Sequence, residues 1–139
     1  MICVASWFVA ACAAIMLLLG VIHLVYTFHG RLLHPRDPDV IARMNDVSLV
    51  LTRETTMWKA WIGFNASHAY GTIFFGLIYG YLALEHSLLF FQSPFLQVVG
   101  LLLLTGYALL GKLYWFSVPF RGILLSAALY IAALVLARV

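Results

Sequence analysis

The sequence predicts an all-α polytopic membrane protein: a single four-transmembrane-helix bundle over residues 1–139, with a short amphipathic helix in its first loop. Three observations carry this expectation. Apolar residues make up 65% of the chain, charged residues only 9%, and the eight basic and five acidic side chains are clustered rather than spread. A soluble domain of this length needs roughly a quarter of its residues charged to cover its surface, so most of this surface must face lipid.

The charge clusters leave uncharged runs at 1–30, 60–84 and 86–111, and a shorter one at 122–137. About 20 apolar residues cross a hydrocarbon layer ~30 Å thick, so the first three runs suffice as they stand. The fourth suffices if it begins at Pro119, a favourable first helical residue, with Arg121 and Arg138 reaching toward the interfaces. No basic segment precedes the first apolar run, which is about twice the length of a signal-peptide core, so it is expected to be a retained span. Cys3 and Cys12 lie in this span, ~13.5 Å apart along a helix and too far for a disulfide.

Arg31, Arg36, Arg43, Arg53 and Lys59 fall between the first and second spans, and Lys112 and Arg121 bracket the third connection. Only Arg138 lies on the other side. The positive-inside rule therefore places loops 1 and 3 in the cytoplasm of a multi-pass protein of the cell inner membrane. The N-terminus, the loop around Glu85–Pro94 and the C-terminus lie outside. The net charge of +3 follows from this topology and implies no nucleic-acid partner. In loop 1, His34-Pro-Arg-Asp-Pro-Asp39 stops the first helix, Asp37 can cap a new one and Pro38 can begin it. Val40, Ile41, Met44, Val47 and Leu51 then recur at helical spacing, as an amphipathic helix at the cytoplasmic interface requires.

The second span carries the chemistry. At ~100° per residue, Trp61, Asn65, His68, Thr72, Phe75 and Tyr79 share one face, which should look into the bundle because polar groups this deep rarely face lipid. A second stripe, Gly63, Ser67 and Gly71, has the spacing that lets helix backbones approach closely. Gly76 and Gly80 form a further small pair, expected to serve a second copy or another partner. Asn65 and His68 lie about 12 and 16 Å from a cytoplasmic start near Met57, and His23 of the first span lies near 10 Å. The three are expected to converge on a polar pocket in the cytoplasmic half of the bundle, walled by Trp61 and Thr72.

His23, Trp61, Asn65, His68 and Thr72 are therefore the candidate ligand-binding residues. No carboxylate lies within a span, and His29, His34 and His86 lie toward the interfaces, so no metal site is expected. Haem ligation by His23 and His68 is disfavoured by their ~6 Å difference in depth, and the pattern specifies no cofactor. A pocket for a quinone-, sterol- or acyl-like molecule needs only an apolar cavity, a few polar anchors and aromatic walls. With no nucleophile–base–acid set, the expectation is a non-enzymatic ligand-binding or accessory membrane component. The alternative is a membrane-embedded enzyme acting on a quinone or lipid-like substrate, with His23 or His68 as acid or base. Expected partners are the lipid bilayer, a small apolar molecule, and a second copy or larger membrane complex.

Trp61-Ile-Gly-Phe-Asn-Ala-Ser-His68, with Gly20-Val-Ile-His-Leu-Val-Tyr-Thr-Phe28 and Thr56-Met-Trp58, resembles a family of small bacterial four-helix integral membrane proteins with a Trp-x-Gly-Phe-Asn-x-Ser-His motif. The resemblance spans about the first 85 residues and implies the fold and a bacterial origin, with no activity to carry over. Size and topology are also similar to the four-helix eicosanoid and glutathione family. Arg43-Met-Asn-Asp46 does not match that family's arginine-rich motif, so the likeness stops at architecture.

Overall fold

The computed structural model describes residues 1–138. It consists of six helices: α1 (Ile2–Phe28), α2 (Pro38–Asp46), α3 (Met57–Glu85), α4 (Ser87–Gln92), α5 (Pro94–Tyr114) and α6 (Ser117–Leu136). Among the described residues there is no strand, only an isolated antiparallel bridge between Ser48 and Thr56. Three helices, α1, α5 and α6, are long and apolar enough to cross a membrane. At 29 residues α3 is longer than any of these, but Lys59, Asn65, Ser67, His68 and Thr72 dilute its hydropathy.

Local chemistry explains the helix boundaries. α1 is rich in Ala and Leu and contains no proline, and it ends where Gly30 takes a left-handed φ of +86°. Asp37 caps α2 by accepting the Asp39 backbone N–H at 2.9 Å, with Pro38 as the first helical residue. This helix stops at Asp46, so Val47 and Leu51 lie beyond the amphipathic stretch read from their spacing. Val47 is extended instead, and its carbonyl accepts the Met57 N–H at 2.8 Å, closing loop 1 beside the Ser48–Thr56 bridge.

The segment expected as the outer loop contains α4. Ser87-Leu-Leu-Phe-Phe-Gln92 is apolar enough to pack, and Phe90 at its centre is fully buried. Ser93 then breaks the helix and caps α5, accepting the Leu96 N–H, while Pro94 begins it. α6 starts at Ser117, two residues ahead of Pro119, leaving only Trp115 and Phe116 between α5 and α6.

Contacts divide the chain into two compact units, one comprising Met1–Leu19 and the chain from Thr72 onward, the other Gly20–Gly71. The core of the first is built from α1 (Val9, Cys12, Met16), α3 (Phe75, Tyr79, Leu82), α4 (Phe90), α5 (Leu104) and α6 (Ile123, Tyr130). Leu102, Leu113, Leu125 and Val135 point outward, whereas Ser6 and Ser126 are buried. The two serines bond to the carbonyls four residues earlier, Ile2 and Gly122, at 2.9 and 3.0 Å, so burial leaves neither hydroxyl unsatisfied. Large apolar side chains outside and satisfied small polar ones inside are the arrangement that a lipid solvent imposes.

Gly76 and Gly80 do not form a free face. A Cβ on Gly76 would stand 2.6 Å from Leu17 Cβ and 2.7 Å from the Ala13 carbonyl oxygen, and one on Gly80 would meet Ala13 Cβ at 3.6 Å. The pair is consumed in packing α3 against α1 within the chain, so it supplies no surface for a second copy. Gly63 has nothing within 4 Å of its Cβ position and Ser67 is exposed, so these two positions of the earlier stripe are open.

The left-handed turn at Gly30 gives a direct test. Any Cβ there is strained although the surrounding space is open. Gly30→Ala is expected to cost about 1–2 kcal/mol, and Gly30→Asn less, as read by reversible unfolding in mixed micelles.

Candidate functional site

The Gly20–Gly71 unit holds the last turns of α1, loop 1 and the first half of α3. His23 lies five residues before the end of α1, and Asn65 and His68 are one helical turn apart on α3. They meet as their depths require: His23 Nε2 lies 3.1 Å from Asn65 Oδ1, and the His68 ring contacts the His23 ring edge to face, centroids 5.3 Å apart at 79°. All three side chains are half-buried.

Neighbouring bonds fix the roles within the cluster. Asn65 Nδ2 donates to the Trp61 backbone carbonyl at 2.8 Å, and a carbonyl oxygen can only accept. The amide orientation follows, which turns Oδ1 toward His23 and makes His23 Nε2–H the donor. In the uncharged imidazole this leaves Nδ1 as an acceptor. Thr27 Oγ1 donates to the His23 carbonyl at 2.8 Å, supporting the backbone beneath the ring.

Trp61 takes part mainly through its backbone. Its indole N–H donates to the Leu33 carbonyl at 3.2 Å, which ties α3 to the segment just after α1. One turn earlier on α3, Trp58 meets His34 edge to face, centroids 4.8 Å apart at 82°. These two tryptophans pin loop 1 to α3, a role that helical phase does not signal because both partners lie in irregular chain. Thr72, the fifth candidate, is buried and belongs to the other compact unit.

Among the described residues, no group of three or more His, Cys, Asp or Glu is placed to hold a metal ion. Asp and Glu are absent from α1, and α3 carries only Glu85, at its far end. The chemistry on offer is therefore that of polar, uncharged donors and acceptors in an apolar setting. No family profile, curated protein or solved structure matches the chain. The functional reading rests on this cluster.

Proposed function

We propose that the chain is a multi-pass protein of a bacterial inner membrane in which α3 forms a fourth span and the His23–Asn65–His68 cluster anchors a small apolar ligand by hydrogen bonds. In this topology loop 1 and the α5–α6 connection are cytoplasmic and both termini lie outside. The α2 helix lies at the cytoplasmic interface. The observation that carries the reading is the His23–Asn65 bond at 3.1 Å, with His68 packed against it, in a half-buried position between helices.

Helix packing alone needs a satisfied polar pair, but this cluster retains capacity beyond its internal bonds. His23 Nδ1 can accept, and Asn65 Nδ2 carries a second hydrogen beyond the one given to Trp61. A ligand with a carbonyl or hydroxyl oxygen on an apolar body, such as a quinone, a sterol-like molecule or an acyl chain, matches that set. The role is binding or accessory to a larger membrane assembly.

A short-tailed benzoquinone and its quinol, titrated into the purified protein in nanodiscs, test the reading. Saturable binding is expected, weakened at least about tenfold in Asn65→Leu, which removes both the anchor and the group orienting His23. Equal binding by the wild type and this variant would reject the site. A second reading has one observation in its favour: Asn65 orients His23 as an orienting group positions a general base. Turnover of the same quinone that His23→Ala abolishes would make the protein an enzyme.

A further inference from the structure

Loop 1 carries a second feature that the His23 cluster does not explain. An open cavity of ≈ 550 Å³ is lined by Arg31, His34, Pro35, Arg36, Pro38 and Ile41, all within the Gly20–Gly71 unit. We propose that this cavity binds a phosphate group, carried by a lipid headgroup or by a small soluble phosphate ester.

The local chain builds the site. Beyond the left-handed Gly30, a turn in which the His34 N–H bonds to the Arg31 carbonyl at 3.1 Å brings these two residues to one side. Pro35 and Pro38 fix φ on either side of Arg36 and remove two backbone donors, so the rim is stiff where the cations stand. His34 is held by its edge-to-face contact with Trp58. Two guanidinium groups offer paired N–H donors matched to phosphate oxygens, and the imidazole adds a third donor direction.

The acidic neighbours do not line the cavity. Asp37 is turned back onto its own helix, accepting the Asp39 N–H at 2.9 Å. The N-terminal turn of α2, nine residues long, enters the lining through Pro38 and Ile41, so its partial positive charge adds to that of the arginines. The volume is far larger than the ~30 Å³ that one water occupies in the liquid, and it takes a phosphate with the glycerol or sugar attached to it. Arg31 stands three residues past the end of α1, the level at which headgroups meet a membrane helix. This inference is independent of the ligand assigned to His23.

The test uses the full chain in neutral detergent. Native mass spectrometry counts bound phosphatidylglycerol against diacylglycerol, which lacks the phosphate, and calorimetry titrates glycerol 3-phosphate and inorganic phosphate. Wild-type protein is expected to retain phosphatidylglycerol, and the double variant Arg31→Gln/Arg36→Gln to lose at least tenfold in affinity. Arg43→Gln/Arg53→Gln, an equal charge loss between the first and second spans but outside the cavity, should bind as the wild type does. Arg31→Lys/Arg36→Lys should fall between, because it keeps charge and loses the paired donors. Saturable titration by the soluble phosphates, lost in the glutamine pair, assigns the source as soluble; lipid retention without it assigns the headgroup. Equal retention of the two lipids with no titration by either phosphate overturns the proposal. So does binding that the glutamine pair, folded as judged by its unfolding midpoint, leaves unchanged.

Discussion

Gly76→Val is expected to destabilise the protein by about 3 kcal/mol or more, measured by reversible unfolding in mixed micelles. The atoms that even a single Cβ would strike include backbone: the Ala13 carbonyl oxygen at 2.7 Å and Leu17 Cα at 2.9 Å. A rotamer change cannot relieve such a clash, so α1 and α3 must separate and give up contacts along Ala13, Met16 and Phe75. The same helix supplies the control. Gly63 has nothing within 4 Å of its Cβ position, so Gly63→Ala is expected to be neutral or to stabilise by up to ~1 kcal/mol through helix propensity. Similar effects of the two substitutions would mean that α3 does not pack on α1 through Gly76.

That contrast also marks where the sequence is informative. Spacing showed that α3 has two sets of small residues able to admit a neighbouring backbone, but not that Gly76 and Gly80 serve packing within the chain. What decides is the partner: Ala13 and Leu17 of α1 stand opposite Gly76 and Gly80, and no periodicity within α3 encodes that. The His23–Asn65–His68 convergence was legible because two independent quantities agreed, the shared helical phase of Asn65 and His68 and the depth of His23 counted from the helix end. Thr72 has the same phase one turn further along α3 and is buried. The cap of α2 was legible from Asp37 and Pro38, whose chemistry is local. Its end at Asp46 was not, because Val47 follows the bridge at Ser48 and Thr56 rather than its own helical spacing. α4 was hidden for a similar reason: Glu85, Ser93 and Pro94 read as loop, and what holds Ser87–Gln92 helical is Phe90, buried by contacts from other helices.

Tyr130→Ala is expected to be the costliest single change in the core, about 3–5 kcal/mol by the same unfolding measurement. Tyr130 is the largest fully buried side chain, and its ring lies 5.9 Å from both Phe90 and Tyr79 in edge-to-face geometry. Its hydroxyl donates to the Gln97 carbonyl at 3.1 Å, and Tyr79 donates to the adjacent Leu96 carbonyl at 2.8 Å, so the two phenols hold the first turn of α5 from α6 and α3. Gly100 makes this possible, since a side chain there would collide with the Tyr130 hydroxyl. Removing the ring leaves a cavity at the junction of α3, α4, α5 and α6. Tyr130→Phe keeps the packing and loses only the hydroxyl's bonding to the Gln97 and Leu96 carbonyls, so it is expected to cost about 0.5–1.5 kcal/mol. The gap between the two substitutions separates ring packing from the hydroxyl bond. If phenylalanine costs as much as alanine, the α5 carbonyls rather than the aromatic cluster set the stability of this junction.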